Sequence, residues 1–354
     1  MGRTLIQRLP VGQKLGNGDF AASASAEFVR VIVVNYNSGP HLARCIEALV
    51  QQTYPHFEAL IIDNASTDNS FTGLPCDPRL RVTKLERNIG FAAANNLGFV
   101  GQKAKFVALL NPDAFPAFDW LERLVEAARN KPTVHMFGSL QLRDDNPAIL
   151  DGAGDVYFFA GTAWRHGSMR PRGRVKMIRE PFGPCAAAAL IRSDWFALVG
   201  GFDERYFCYF EDVDLAFRLR LLGGRAMLVE KAVVRHVGSA ASGSGSDFVT
   251  YHVARNQIWT FWKCMPLPLL ILLLPCHALL IAGKFWKAMC SGRGRIVAHA
   301  VSDALIGLPA IHASRRKVQR TRSVSSLAVA RAMTWSPISL RRRSASRRWF
   351  SLST

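Results

Sequence analysis

Acidic residues are in short supply in this 354-residue chain, with 26 Asp and Glu against 45 Lys and Arg and a formal charge of +19. Paired cysteines are missing as well. The seven cysteines stand at 45, 76, 185, 208, 264, 276 and 290, and no two of them make a C-x-x-C. An odd, unpaired set excludes a disulfide framework and points to reduced, mostly buried thiols. The first apolar run is not followed by G-x-G-x-x-G, and G-x-x-x-x-G-K-[ST] occurs nowhere, so neither a dinucleotide fold nor a P-loop is expected. RNP, zinc-finger and helix-turn-helix signatures are also lacking, so the basic charge does not point to nucleic acid. The opening "MGRTLIQRLPVGQKLGNGDF" has no continuous apolar stretch, which argues against a secretory signal. Gly2 lacks the Ser or Thr that myristoylation requires.

A hydrophobic content of 49% supplies a sizeable core and excludes wholesale disorder. The charge is unevenly placed. From Lys284 to the end there are 15 Lys and Arg and one acid, Asp303, so +14 of the +19 belongs to the C-terminal end. Residues 1–27 read as a flexible lead-in rich in Gly, Ala and Ser. After them "VRVIVVNYN" is an unbroken β-branched run, as in a buried parallel strand. "FEALIID", "LRVTKLE" and "KFVALLNPD" read as further strands. Helices are expected over residues 39–52, in the Ala-rich "NIGFAAANNLGFVGQ" and in "AFDWLERLVEAARN". This alternation implies an open, largely parallel α/β sheet of Rossmann-like type, whose ligands lie at the carboxyl ends of the strands. Polar residues fall there three times: Asn35 and Asn37, Asp63 and Asn64, Asn111 and Asp113. They make either a ligand site or ordinary turns.

Two motifs carry chemistry. In "LLNPD" a buried strand delivers Asp113 past its end, suited to a hard divalent cation, or else to capping a helix that begins near Ala117. In "YFCYFEDVDLAFRLRL" three acids, Glu211, Asp212 and Asp214, open a helix behind a run of aromatics. Acids in a first turn satisfy the helix dipole. Three of them beside aromatics exceed that need, and a carboxylate partly withdrawn from water is a stronger base.

Taken together, "VIVVNYNSG", "IIDNASTDNS", "NIGFAAANNLGF", "LLNPD", the stretch "GPCAAAALIRSDWFALVGGFDERYFCYFEDVDLAFRLRLLGG" and "RHVGSAASGS" resemble glycosyltransferase family 2 over about residues 29–262. The rhamnosyltransferase-like enzymes of bacterial envelope polysaccharides are the nearest in pattern. The resemblance implies a GT-A fold: a Rossmann-like nucleotide half fused to an acceptor half around a mixed sheet. It implies inverting transfer of a sugar from a nucleotide-diphosphate donor to a lipid-linked or polysaccharide acceptor, with Mg2+ or Mn2+ as cofactor. Carried over by position, Asn35, Tyr36, Asn37, Asp63, Asn64, Asn88, Gly90, Phe91, Asn95 and Asn111 fall on the donor side, and Arg255 beside the diphosphate or in a surface ion pair. Asp113 and His236 match metal positions. The motif reads N-P-D where many relatives have D-x-D, a variant usual among rhamnosyltransferase-like members. Asp212 matches the catalytic base and Glu211 its neighbour, which orients the acceptor or Asp212. Asp214 is expected to face the helix or solvent.

Residues 264–283, "CMPLPLLILLLPCHALLIAG", carry no formal charge and are flanked by aromatics, as a membrane segment is. Pro266, Pro268 and Pro275 interrupt them. A single crossing would also strand the basic end outside the cytosol, against the positive-inside bias. A shallow or re-entrant segment on the cytoplasmic face of the plasma membrane is expected, with the basic end on anionic lipid. A buried core segment is the alternative. The chain thus divides into 1–27, a transferase domain at 28–262, an apolar membrane-associating segment at 263–311 and a basic tail at 312–354. The rival reading is a non-catalytic membrane- or nucleic-acid-binding protein with a decayed transferase domain. The presence of both Asp113 and Asp212 speaks against it. Donor sugar, acceptor and oligomeric state are open at this level.

Overall fold

The computed structural model describes residues 27–238 and 246–339. All but Glu27 of the expected lead-in lies outside the described residues, as does the basic tail beyond residue 339. Strands β1 (Val29–Asn35), β2 (Phe57–Asp63), β3 (Leu80–Lys84) and β4 (Phe106–Leu110) run parallel in the order β3-β2-β1-β4. β4 is buried throughout and β1 everywhere but Arg30, which is why both read as unbroken apolar runs. Helix α1 (His41–Val50) covers one face through Leu42, Cys45, Ile46 and Leu49. Helix α2 (Phe91–Phe99) covers the other with small residues. A Cβ at Gly98 would stand 2.7 Å from the Ile32 Cγ2, so the helix lies closer to the sheet than any larger residue permits.

Beyond β4 the chain forms β5 (Ala114–Pro116), α3 (Trp120–Asn130), β6 (Met136–Arg143), β7 (Leu150–Gly152), β8 (Asp155–Phe158) and β9 (Thr162–Arg165). β10 (Ala188–Arg192), α4 (Ser193–Leu198), α5 (Glu211–Leu221) and β11 (Ala226–His236) follow. The sheet continues from β4 as β10-β6-β11-β5, with β7 paired to β6 and β8–β9 a separate hairpin. β10 is antiparallel to both neighbours, and this turns a parallel half into a mixed nine-stranded sheet. Asp119, not Asp113, precedes the first turn of α3. The helix-cap reading of Asp113 therefore falls, because a short strand, β5, separates it from the helix.

The C-terminal part is helical: α6 (Asp247–Cys264), α7 (Leu267–Cys290), α8 (Gly294–Ile306), α9 (Leu308–Thr321) and α10 (Ser326–Ala332). The expected proline interruption is absent, since α7 runs as one 24-residue helix. Pro266 precedes it, and Pro268 sits in the first turn, where a missing N–H is no loss. Only Pro275 forfeits an internal bond. One apolar cluster joins Tyr157, Phe182 and Phe217 of the body to Phe261, Met265, Leu273, Ile311 and Met333, so a single core crosses residue 262. Arg315 is buried and donates to the Trp262 and Met265 carbonyls at 2.6 Å each, closing the end of α6. Thr334 N–H donates to Tyr157 O at 2.9 Å, and Trp335 stacks on Phe159. Residues 312–339 of the expected basic tail are thus folded against the body.

Candidate active site

A cleft of about 1540 Å³ lies at the carboxyl ends of β1 and β4, roofed by the start of α5. That volume exceeds the roughly 300–1,000 Å³ of a single small-molecule site and leaves room for two substrates. Tyr36 projects into it from the end of β1, 40% exposed. Asn64, after β2, is fixed at both ends of its carboxamide. Its Nδ2 donates to Asn88 Oδ1 at 2.8 Å, and its Oδ1 accepts from Ile89 N at 2.9 Å. Asn88 Oδ1 also accepts from Gly90 N at 2.9 Å. Gly90 has φ +88°, and a Cβ there would meet the Phe207 ring at 2.6 Å, so the turn needs glycine. Phe91 and Asn111 complete this side. Asn111 Oδ1 is buried without a hydrogen-bond partner.

Asn35, Asn37, Asp63 and Asn95 stand behind the wall. Asn35 Nδ2 donates to Ser66 Oγ at 2.9 Å, and Asp63 Oδ1 accepts from Ser66 N at 3.0 Å. Asn37, at φ +47°, accepts from Thr67 N at 2.8 Å. Asn95 donates to Phe91 O within its own helix at 2.9 Å. These side chains brace the loops that carry Tyr36, Asn64 and Phe91.

The pairing of β11 with β5 sets His236 opposite Ala114, and Val237 N donates to Asp113 O at 3.0 Å. The sheet register thereby brings His236 Nε2 to 3.2 Å from Asp113 Oδ1. On its other side His236 Nδ1 meets Asp151 Oδ2 of β7 at 2.8 Å. Asp151 in turn pairs with Arg165 of β9. Burial pulls the His236 pKa down, but Asp113 and Asp151 outweigh it and raise the value to about 9. Burial would likewise raise the Asp151 carboxyl, yet Arg165 and His236 hold it well below the usual range.

The residues fit a divalent cation. Adjacent ligands of an octahedral Mg2+ at 2.0–2.1 Å lie about 3 Å apart, close to the Asp113–His236 separation. A carboxylate on the second ring nitrogen is the usual partner of a metal-binding histidine. Among the described residues no three His, Cys, Asp or Glu form a complete cage, so other positions would fall to substrate and water.

Across the cleft, the loop before α5 is strained. Phe207, Tyr209 and Phe210 all have positive φ, at 64°, 67° and 69°. Such residues cost about 1–3 kcal/mol each and persist only where surroundings impose them. Here the restraint is Asn256, fully buried, whose Nδ2 reaches the carbonyls of Tyr206, Cys208 and Tyr209 at 3.0, 3.0 and 2.7 Å. Arg255 does not line the cleft. Its guanidinium lies over Trp259 and donates to the Arg205 and Tyr206 carbonyls at 3.1 Å each, behind the same loop.

The restrained loop presents Glu211 and Asp212 to the cleft. Asp212 Oδ2 accepts from Ala186 N at 3.2 Å and Oδ1 from Val213 N at 2.8 Å. Burial raises its pKa, while those two N–H groups and Arg165 oppose the rise. Asp155 of β8 is pushed much further, by burial and by the charge of Asp212. Two carboxyls in one buried site oppose each other's ionisation, and Arg165 favours the charged form of both. Burial and the Asp212 charge also lift Glu211 well above the carboxylate range, and its buried Oε2 has no partner. When protonated, Glu211 is able to donate.

Of the two expectations for Asp214, helix or solvent, the solvent one falls. It is fully buried and meets Arg218 at 2.8 Å, Lys263 at 2.7 Å and the Tyr206 hydroxyl at 3.2 Å. Its position on α5 faces α6, where Lys263 also meets Asp203 at 2.6 Å. Asp151, Asp155 and Arg165 escaped the sequence reading. For Asp151 and Asp155 the available signal was acids beside glycines and aromatics, "LDGAGDVYFF", in a chain poor in acids.

Residues 30–197 match the model of the family "Glycosyl transferase family 2". The chain is 29% identical over 251 residues to an N-acetylglucosaminyl-diphospho-decaprenol L-rhamnosyltransferase of Mycobacterium tuberculosis, covering 64% of this chain and 81% of that one. Among solved structures it is similar to the mannosyltransferase PcManGT from Pyrobaculum calidifontis in complex with GDP-Man and Mn2+. There the TM-score is 0.50 at 19% identity, over 84% of this chain and 86% of that. It is also similar to GalNAc-T7 with UDP, GalNAc and Mn2+, with TM-score 0.52 and 18% identity over 67% of this chain, and it spans 48% of that longer protein. These likenesses establish the fold as GT-A. Residues 30–197 thus match glycosyltransferase family 2, and the chain is similar to a rhamnosyltransferase.

Proposed function

We propose that the chain moves a sugar, rhamnose being the first candidate, from a nucleotide-diphosphate donor to a lipid-linked or polysaccharide acceptor, with inversion. The observation that carries this is the facing of two acid corners, Asp113–His236 and Asp212, across one cleft. Asp212 takes the proton of the acceptor hydroxyl. The freed oxygen bonds to the anomeric carbon as the bond from that carbon to the diphosphate breaks, and the diphosphate leaves with the electron pair. Attack from the side opposite the leaving group inverts the centre. Asp113 and His236 would hold the divalent cation, which supplies charge stabilisation to the departing diphosphate. Glu211, when protonated, orients the acceptor. Tyr36, Asn64, Asn88, Gly90, Phe91 and Asn111 receive the donor, with Asn35, Asn37, Asp63 and Asn95 shaping the nucleotide end. The acceptor class is suggested by the mycobacterial relative's name.

A place on the cytoplasmic face of the plasma membrane follows from the donor's location and from α7. That helix is apolar and long enough to cross a bilayer. Yet it touches the body from Leu269 to the cleft residue Ala288, which favours lying on the surface over spanning. The division at 28–262, 263–311 and 312–354 is then one of role, since the core is shared.

The test is transfer and hydrolysis with UDP-, dTDP- and GDP-sugars and Mn2+. Wild type should turn over at least one donor and lose it to EDTA. Asp113→Ala should weaken both Mn2+ and donor binding in calorimetry. Donor affinity indifferent to EDTA in the wild type would remove the metal role, and no turnover of any donor would favour the non-catalytic reading.

A further inference from the structure

The sheet and α5 do not enclose the cleft by themselves. A further wall comes from Ile281, Lys284 and Lys287 of α7, Ser291 just after it and Val297 of α8, all beyond the residues matched by the family model. On α7 the positions 270, 273, 277, 281, 284 and 288 recur every three or four residues and share one side of the helix. In the first half that side is buried, with Leu270, Leu273 and His277 against the body. In the second half it faces the cleft, and the stripe now carries lysine at 284. The other side stays apolar and open to solvent: Ile271 is 67% exposed, Leu279 74% and Trp286 72%. Lys284 Nζ is held at the cleft by Thr162 Oγ1, at 3.1 Å, and by Gln257 Oε1. Lys287 and Arg293 stand exposed at the same rim, with Arg293 3.4 Å from Asp247.

The geometry points to this wall as the acceptor subsite, binding a lipid diphosphate. The anionic head meets Lys284, Lys287 and Arg293, and the hydrocarbon stays with the exposed apolar side of α7. The inference rests on the transferase reading. Three cations within ten residues suit a diphosphate better than a neutral glycan, which is recognised by aromatics and carboxamides. They sit on and beside the helix that carries the exposed apolar stripe, which suits a lipid-borne diphosphate better than a free one. The donor's own diphosphate is accounted for by the Asp113–His236 corner at the strand ends.

The probes are farnesyl diphosphate, inorganic diphosphate, and UDP, dTDP and GDP with Mn2+, titrated into the full chain in detergent. Wild type should bind farnesyl diphosphate about tenfold or more tighter than inorganic diphosphate. Lys284→Gln should weaken farnesyl diphosphate about tenfold, the scale of one charge-assisted contact, and leave the preferred nucleoside diphosphate within about twofold. Lys284→Arg should restore binding. Lys287→Gln, at an exposed position, gives the same reading should the first variant fold poorly. Equal loss for the nucleoside diphosphate would assign these cations to the donor and overturn the proposal. Unchanged farnesyl diphosphate affinity, or inorganic diphosphate binding as tightly, would overturn it too. If farnesyl diphosphate binds and no nucleoside diphosphate does, the donor reading fails and the lipid site stands.

Discussion

The two halves of the cleft are built from different materials. At the ends of β1 and β2 the polar residues are, apart from Asp63, neutral and satisfy one another: Asn64 with Asn88 and Ile89, Asn35 with Ser66, Asn37 with Thr67. Beyond β4 the buried groups are charged, as Asp113–His236–Asp151–Arg165 at the cleft and as Asp203–Lys263–Asp214–Arg218 behind it. Neutral hydrogen bonds fix loop shape at little electrostatic cost. Buried charges are expensive to desolvate and are kept only in full sets, but they can set protonation states. The first region is thus a mould, and the second can set protonation states.

Substitutions can break that contrast. The largest effect is expected from Asp212→Asn, which should cut kcat by about 10²-fold or more while donor affinity holds. Near wild-type turnover would move the base to another acid. Next is Lys263→Met. Removing one member of a buried charge set costs about 3–5 kcal/mol, and the lower end applies because Asp203 and Asp214 keep their arginines. Chemical denaturation measures it, and a loss under about 1 kcal/mol would show the cluster to be dispensable. Asn256→Ala should lower stability by about 1–3 kcal/mol and reduce kcat more than donor affinity, because it releases the strained loop that presents Asp212. On the donor side Asn37→Ala should cost only about 1 kcal/mol, with kcat unchanged. A kcat loss there as large as that of Asp212→Asn would erase the distinction between mould and chemistry.

A pH profile sharpens it further. Asp212 has a pKa raised above 3.8 by burial, and it acts when ionised. The rate is therefore full above that raised value and falls as pH drops through it. The acid limb of kcat/KM should lie higher than for an exposed aspartate, and a rate flat down to pH 4 would exclude Asp212 as the base.

The parallel half was legible because β1 and β4 are buried almost throughout and α1 is strongly amphipathic. Asp113 and Asp212 were legible from motif and from acids among aromatics. The strands β7, β8 and β9 were not, being three or four residues long with too few turns of any period to register. Asp151, Asp155 and Arg165 ride on those strands, and pairing across the sheet brings them to His236 and Asp212. The place of Arg255 was not legible for the same reason: only the packing of α6 behind the loop shows which way it points. Reading α7 as broken overrated proline, whose penalty is small in a first turn.

The core shared across residue 262 also fixes an order in time. A ribosome delivers the donor mould first, the base helix next, and the helices bearing Lys284 and Arg293 near the end. Thr334 fastens to Tyr157 after roughly another forty residues, a few seconds at ordinary translation rates of about 5–20 residues per second. Until then Tyr157 and Phe217 lack the apolar partners that α7, α9 and Met333 bring. A chain halted early therefore holds a nearly finished nucleotide site beside an open hydrophobic face. The wall that α7 and α8 add to the cleft is likewise made after the strands that form its floor.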